Sequence, residues 1–312
     1  MAPSADRLLL TGAGGFLGRN CLDALGDSGW EVHAADREIR RDTPPSVHWH
    51  EVDLLDDQAV RDLMTRIEPS HLLHLAWTGA RPVYRSCENF QWVGASLALF
   101  RHFAACGGGR IVALGSSAEY EEGPYDCRED VTPLTSATPY GVCKSSLFRL
   151  FEAWRREAGV SGAWARPFFL YGPYEHESRL VASVIVSLLR REPARCTHGR
   201  QVRDYLHSRD AAAALLHLLA SDFDGAVNIG SGKPVAVADL VRLIARQMGK
   251  EDLVELGAIP APDDEAPRVV ADVRRLVETV GWQPRFNVEE GLAQTIEWWQ
   301  RELAGGDVAA EG

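Results

Sequence analysis

The feature that most constrains this chain is an apolar run that leads directly into a glycine turn. Residues 8–18 read LLLTGAGGFLG, in which Gly12, Gly15 and Gly18 follow the spacing G-x-x-G-x-x-G. Gly12 permits a sharp turn, Gly15 lets the backbone approach a diphosphate, and Gly18 lets the following helix pack closely on its strand. The pattern predicts a strand–turn–helix unit that binds a dinucleotide.

The residues around this turn indicate which dinucleotide is bound. An amphipathic pattern starts at Phe16 and Leu17, and Asp36 closes the next predicted strand, 24 residues after Gly12 (36 − 12). At about this offset an acidic residue binds the adenosine ribose. A carboxylate favours the 2′-hydroxyl of NAD(H) and repels a 2′-phosphate, whereas the neighbouring Arg37 would accept one. We therefore expect NAD(H), with NADP(H) as the alternative.

Strand and helix patterns alternate through the first half of the chain. Such alternation is typical of βαβ units, in which helices cover both faces of a parallel sheet. We therefore predict an α/β protein with a Rossmann-type doubly wound parallel sheet. The predicted strands are 7–11, 31–35, 47–53, 71–76, 110–115 and 161–166. The predicted helices are 16–28, 57–67, 88–106 and 139–158.

The rhythm changes after residue 166, which predicts a smaller C-terminal substrate domain. Residues 168–173 are predicted to form a turn, and residues 257–267 form a loop rich in proline and acidic residues. Later helices are predicted at 180–190, 209–220, 237–248 and 288–299, with a short strand at 226–229. The predicted division is a dinucleotide domain at 1–167, with 205–222 packing back on it, a substrate domain at 168–204 and 223–302, and a frayed tail at 303–312.

The composition of the chain bears on its binding partners and on the cellular compartment in which it works. A net charge of −11 gives no reason to expect a nucleic-acid partner. No signal segment or membrane-spanning run is apparent, and six scattered cysteines fit reduced thiols, so we predict a cytoplasmic protein without membrane contact. The ten histidines form no obvious ligand set, so no metal site is expected.

A tyrosine and a lysine near the start of the 139–158 helix are the strongest candidates for catalysis. Thr138 can cap this helix and Pro139 fits its first position, so Tyr140 and Lys144 lie one turn apart on the same face. An ammonium group, together with a positive nicotinamide ring, would bring the phenol pKa down from about 10. Only three lysines occur among 33 basic residues, so a lysine here is informative. The alternative is a core tyrosine beside an exposed lysine.

Two serines follow the predicted strand 110–115. Ser116 and Ser117 are therefore expected at the carboxyl edge of the sheet, where open parallel sheets bind their ligands. A hydroxyl at this edge can hydrogen-bond the substrate oxygen that Tyr140 protonates. The alternative is ordinary turn chemistry, because serine is common after strands.

The glycine turn, Ser116 and the Tyr140-x-x-x-Lys144 pair occur in this order in the extended short-chain dehydrogenase/reductase family, which the chain resembles over about residues 7–300. The closest resemblance is to its nucleotide-sugar epimerases, dehydratases and 4-ketoreductases. The resemblance implies a nucleotide-diphosphate sugar as substrate, and a homodimer that packs the 88–106 and 139–158 helices into a four-helix bundle. Beyond the glycine turn and Asp36, the implied cofactor-binding residues are Phe16, Leu17, Arg37, Asp53, Leu54, Leu75, Ala76, Trp77, Tyr140, Lys144 and Pro167.

The residues after Ser116 narrow the reaction. Family 4,6-dehydratases carry Asp-Glu there, whereas this chain has Ser117 and Ala118, so dehydration is disfavoured and Glu119 is expected to point elsewhere. Reduction of a 4-keto sugar and C4 epimerisation with retained NAD both remain. The SSAEY segment at 116–120 most resembles 4-ketoreductases, which favours reduction. A dinucleotide sensor without turnover is a third hypothesis, but such proteins commonly lose the tyrosine or the lysine.

The substrate side departs from the family pattern. Phe169 replaces the usual asparagine, and the arginine often found before a late Ala-Asp pair is absent from its usual place. Arg203 is the best candidate for the diphosphate, and its alternative is an ion pair with Asp204 or Asp210. Trp77 is expected to shape the sugar pocket or to belong to the core. The expected substrate-binding residues are Ser116, Ser117, Tyr140, His176, Arg179, Arg203 and Arg268. The sequence does not choose the base or the sugar.

Overall fold

The computed structural model describes residues 6–26, 28–40, 44–78, 83–262 and 265–309, with the backbone alone for 305–309. The helices are α1 (Phe16–Leu25), α2 (Asp57–Ile67), α3 (Glu88–Ala105), α4 (Pro139–Ala158), α5 (Leu180–Leu189), α6 (Ser208–Ala220), α7 (Val237–Met248) and α8 (Val288–Ala309). Single turns of 3₁₀ helix lie at Val83–Arg85, Ser117–Glu119 and Glu251–Leu253, and a π turn lies at Arg275–Thr279. Within these ranges, no helix is both long enough and apolar enough to cross a bilayer.

Thirteen strands are found in the described ranges. They are β1 (Arg7–Thr11), β2 (Glu31–Asp36), β3 (Val47–Glu51), β4 (His71–His74), β5 (Arg110–Leu114), β6 (Ser161–Pro167), β7 (Phe169–Tyr171), β8 (Ala194–Cys196), β9 (Val202–His207), β10 (Gly225–Ile229), β11 (Pro234–Ala236), β12 (Val254–Leu256) and β13 (Arg268–Val269).

Seven of these strands form one large parallel sheet in the order β10-β6-β5-β4-β1-β2-β3. Apolar side chains of α1 and α6 cover one face, and those of α2, α3 and α4 cover the other. The predicted fold class, a doubly wound Rossmann-type sheet, is confirmed. All seven strands place their carboxyl ends at the same edge, which is where both the glycine turn and Ser116 emerge.

Local capping explains why two helices begin where the sequence predicts. At α2 the Asp56 carboxylate accepts hydrogen bonds from the backbone N–H groups of Gln58 and Ala59. At α4 the Thr138 hydroxyl accepts one from Gly141 N at 3.1 Å, and Pro139 occupies the first turn. These contacts satisfy backbone donors that otherwise lack partners at a helix start.

The C-terminal part forms smaller sheets beside the carboxyl edge of the large one. Strands β11, β9 and β13 pair in that order, β7 pairs with β9, and β8 pairs with β12. A separate apolar cluster is built from α5, α7 and α8. Between these parts, α6 returns to pack against α1.

Three expectations about this half are corrected. The strand β10 lies at the edge of the large sheet beside β6, so assigning all of 223–302 to the substrate domain is wrong for this strand. Residues 168–173 are not only a turn, because Phe169–Tyr171 forms β7 and pairs with β9. The last helix continues to Ala309, into the tail expected to fray, and residues 310–312 lie outside the described ranges.

Candidate active site

The glycine turn is a backbone cradle with no room for a side chain at Gly12 or at Gly18. Gly12 has a φ of +70°, and a Cβ placed there would lie 2.8 Å from the backbone nitrogen of Ala76. A Cβ on Gly18 would lie 2.2 Å from the carbonyl oxygen of Gly12. Both contacts are with backbone that cannot move aside, so the turn requires glycine at these positions.

A cavity of about 330 Å³ opens beside this turn, between the ends of β1, β2 and β4. Its lining residues are Gly12, Gly14, Gly15, Ala35, Asp36, Arg37, Glu38, Arg40, Val52, Leu54, Leu75, Ala76, Trp77 and Trp92. Among the described residues, no side chain caps the first turn of α1, whose N–H groups face the cradle end. Free backbone donors at a helix N-terminus suit a diphosphate, so these residues fit a dinucleotide.

Asp36 holds the position expected of the ribose-binding acid. One carboxylate oxygen accepts from Gly14 N at 2.9 Å, and the other accepts from Arg37 N at 2.8 Å. Sequence reasoning missed Gly14 and the cavity-lining Arg40. The sequence GAGG at residues 12–15 could have pointed to Gly14, because it shows a further residue without a Cβ in the turn.

Of the remaining residues predicted to bind the cofactor, one lines the cavity and the others lie elsewhere at the carboxyl edge of the sheet. Leu54 is buried and lines the cavity, whereas Asp53 is exposed and its carboxylate accepts from Leu55 N at 3.0 Å, which shapes the turn before α2. Phe16 and Leu17 form the first turn of α1. Pro167 ends β6 at the carboxyl edge of the sheet. The cofactor roles of these five residues stay predictions.

Tyr140 and Lys144 lie on α4 and face the end of β5, which leads into Ser116. The Ser116 side chain lies close enough to the Tyr140 side chain to lower the pKa of its phenol. Lys144 is only 3% exposed, and its Nζ donates to the carbonyl oxygen of Leu114 at 2.8 Å. The alternative reading of an exposed lysine is therefore wrong, and the three predicted catalytic residues lie together.

Burial dominates the protonation of both groups. It raises the pKa of Tyr140 above its ordinary value, while Ser116 and Arg179 act in the opposite direction. Burial lowers the pKa of Lys144 to about 7, and the charge of Glu119 opposes this. The predicted lowering of the phenol pKa by Lys144 thus stays a prediction for the enzyme with its cofactor bound.

Two aromatic rings surround the Tyr140 side chain. The ring of Tyr84 lies 5.4 Å from that of Tyr140, edge to face, and the ring of Trp77 lies 6.4 Å away in the same orientation. Trp77 also contacts Lys144, whose Nζ lies 3.7 Å from the indole centroid. Trp77 therefore packs against both candidate catalytic side chains.

Glu119 is fully buried beneath this site. One carboxylate oxygen accepts from Ser116 N at 2.8 Å and from Trp164 Nε1 at 2.9 Å, and the other accepts from Arg166 Nε at 2.8 Å. The carboxylate is thus directed into the core, as expected from the sequence. It holds the Ser116 backbone and has no path to act as an acid or base on a substrate.

Arg203 has a partner that sequence reasoning did not identify. Its guanidinium is 3.1 Å from the Glu265 carboxylate. The suggested alternative partners are wrong, because Asp204 accepts from the Ser231 and Gly232 backbone and Asp210 accepts from the backbone N–H groups of residues 285 and 286. The Arg203 guanidinium also lies 5.3 Å from the ring of Phe169.

The other predicted substrate-binding residues are more exposed. Arg268 pairs with Asp126 at 3.1 Å, and His176 accepts a hydrogen bond from Ser178 N. Arg179 lies 4.0 Å from the buried Glu175 and is close enough to Tyr140 to affect its pKa. Arg179 is therefore the one of these three that the structure places near Tyr140.

Comparisons with known proteins agree with this geometry. The family model described as the NAD dependent epimerase/dehydratase family matches residues 8–230. UDP-glucuronic acid decarboxylase 1 of Xenopus tropicalis is 26% identical over 310 residues, covering 95% of this chain and 73% of that protein.

Solved structures extend this similarity to the whole fold. MoeE5, solved with UDP-glucuronic acid and NAD, is 31% identical with a TM-score of 0.83, covering 95% of this chain and 99% of that chain. UDP-glucose 4-epimerase of Thermotoga maritima, solved with UDP-glucose, is 22% identical with a TM-score of 0.86 and the same coverage of both chains. With the family model spanning most of the chain, this protein belongs to the NAD dependent epimerase/dehydratase family of extended short-chain dehydrogenases/reductases.

Proposed function

We propose that the protein reduces the 4-keto group of a nucleotide-linked sugar, with Tyr140 as the proton donor. The observation that carries this proposal is the meeting of Ser116, Tyr140 and Lys144 at the carboxyl edge, beside the glycine-lined cavity. The family assignment and the NAD complex of a 31% identical protein support NAD(H) as the cofactor.

Each residue has a role that follows from its position. Tyr140 gives its phenolic proton to the carbonyl oxygen, and the Ser116 hydroxyl holds that oxygen by a hydrogen bond. Lys144, while charged, stabilises the phenolate that remains. NAD(H), when bound, supplies or accepts the hydride. Because the Glu119 carboxylate is held by Trp164 and Arg166, no acid–base group follows Ser116 to support dehydration.

C4 epimerisation is the second candidate function. It uses the same three side chains, and MoeE5 at 31% identity is solved with UDP-glucose and with UDP-glucuronic acid, each together with NAD. In this case the cofactor stays bound and the sugar is oxidised and reduced in the same site. The difference lies in whether reduced cofactor is consumed.

A panel assay separates the two candidates. Purified protein is mixed with NADH and a series of 4-keto-6-deoxy sugar nucleotides, and loss of NADH is followed. Reduction predicts stoichiometric consumption of NADH with at least one member of the panel. If no member consumes NADH beyond a single turnover of the bound cofactor while UDP-hexoses are interconverted at C4, epimerisation replaces reduction. If neither reaction occurs although NAD is bound, both proposals fail.

Replacing Asp36 with asparagine tests the cofactor assignment. Removing the charge weakens the hydrogen bond expected with the 2′-hydroxyl and ends the repulsion of a 2′-phosphate. We expect NAD to bind about tenfold more weakly, since a hydrogen bond to a charged group contributes about 1.5–3 kcal/mol. Calorimetric titration with NAD and NADP measures this. Asp62→Asn, which changes an exposed carboxylate on α2 that does not line the cavity, is the matched control and should bind NAD as the native protein does. Equal NAD affinity in both variants would contradict the role of Asp36.

We also propose the homodimer that the resemblance implies. The outer faces of α3 and α4 carry exposed apolar side chains, with Phe90 at 60%, Leu150 at 47% and Val142 at 44% exposure. Burying such a patch against a second copy would stabilise a pair by the hydrophobic effect. Sedimentation equilibrium should give twice the chain mass, and a monomer at micromolar concentration would refute the dimer.

A further inference from the structure

Lys144 is a buried amine for which the described part of the chain supplies no carboxylate ion-pair partner. Among the described residues, no acidic side chain lies within ion-pair distance of its Nζ, and only the Leu114 carbonyl accepts from it. Burying an ammonium group without compensation is costly, and such a lysine tends to lose its proton. A neighbouring group that stabilises the ammonium would therefore decide how much of Lys144 is charged near neutral pH.

The indole of Trp77 lies where it can do so. Lys144 Nζ is 3.7 Å from the centroid of this ring, which is within the range of a cation–π interaction. The ring is fixed, because its Nε1 donates to the Oδ1 of Asn89 at 2.8 Å. Asn89 is itself fully buried and donates to the carbonyl oxygens of Val83 and Ser86.

We propose that Trp77 is a positioning residue, whose indole face keeps the Lys144 ammonium charged and held beside Tyr140. The catalytic importance of this contact rests on the proposed function, because only there does Lys144 stabilise the phenolate of Tyr140. The contact itself is a property of the protein and can be tested without a substrate.

The other groups that face Lys144 do not replace the indole. His74 on β4 is buried, its pKa is lowered to about 3, and it carries no charge at neutral pH. Glu119 favours the ammonium, but its carboxylate is hydrogen-bonded to Arg166, which offsets its charge. Tyr140, one turn away on α4, is neutral because burial raises its pKa.

The direction in which the Lys144 pKa changes when the Trp77 ring is removed distinguishes a cation–π contact from a ring that only shields Lys144 from water. An aromatic face stabilises the cation and raises the lysine pKa, whereas an apolar cover that only excludes water lowers it. Removing the ring should lower the pKa of Lys144 in the first case and raise it in the second.

Isotope labelling of lysine gives a direct readout, because the chain has only three lysines. The Cε and Nζ signals are followed against pH in the native protein, with a Lys144→Met sample to assign the signal. In Trp77→Leu we expect the pKa of Lys144 to fall by about half a unit to one unit. In Trp77→Phe, which keeps a weaker aromatic face and most of the cover, it should fall by less.

Tyr84→Leu is the matched control, because Tyr84 contacts the Tyr140 ring without lying over Lys144. Its Lys144 signal should titrate as in the native protein. A raised or unchanged pKa in Trp77→Leu overturns the proposal, and so does an equal fall in Tyr84→Leu. If Trp77→Leu fails to fold, an unchanged or raised pKa in Trp77→Phe overturns it alone. If the panel assay with 4-keto sugar nucleotides disproves the proposed function, the titration of Lys144 still tests the contact with Trp77.

Discussion

Replacing Tyr140 with phenylalanine is expected to lower kcat by about 10²–10⁴-fold, the usual contribution of a positioned proton donor. The substitution removes only the hydroxyl that Ser116 contacts and keeps the ring that packs against Trp77 and Tyr84. Dinucleotide affinity should change little, because the glycine cradle and Asp36 are untouched. Turnover of the substrate found in the panel assay, together with NAD titration, measures both quantities.

Tyr84→Phe provides the control for this variant. Tyr84 is 44% exposed and its ring touches that of Tyr140, so the substitution removes a neighbouring phenol from the same aromatic group. It should leave kcat within a factor of a few. A Tyr140→Phe enzyme that turns over at the native rate would remove the phenol from the mechanism.

Replacing Arg166 with methionine should destabilise the protein by about 3–5 kcal/mol, because it leaves a carboxylate buried without its partner. Both side chains of the Arg166–Glu119 pair are fully buried, and Glu119 also holds the Ser116 backbone. Denaturant unfolding followed by circular dichroism measures the loss. Turnover should fall as well, because the loop that carries Ser116 loses its anchor.

The control for this effect is an exposed ion pair. Arg242 pairs with Asp239 on α7 at 3.2 Å, and the two side chains are 58% and 69% exposed. Exposed pairs contribute about 0–1 kcal/mol, so Arg242→Met should unfold near the native midpoint. An equal loss of unfolding free energy in Arg166→Met and Arg242→Met would show that burial does not make the Glu119 pair more important for stability than an exposed pair.

Local signals account for what could be predicted from the sequence. The bounds of α2 and α4 follow from residues that act within one turn, such as Thr138 and Pro139. The Tyr140 and Lys144 pair follows from helical spacing alone, and the glycine cradle follows from steric limits on a single turn. These features need no knowledge of the rest of the chain.

Gly14 had a local signal that was overlooked, whereas three other features that were missed depend on residues far apart in sequence. Strand β10 joins β6 from more than 50 residues away, so no local pattern could place it in the large sheet. Arg203 meets Glu265 across 62 residues of chain, and a short segment such as β7 becomes a strand only because β9 lies beside it. The sheet position of β10, the partner of Arg203 and the strand β7 are all determined by tertiary contacts.

The central claim is that hydride is transferred at C4 of the sugar beside Tyr140. The most direct test loads the protein with NADH that carries deuterium at both positions of nicotinamide C4, adds a 4-keto nucleotide sugar, and locates the label by NMR after a single turnover. The account predicts one deuterium on C4 of the sugar, whether the enzyme is a reductase or an epimerase. A product with deuterium at another carbon, or with none, would contradict it.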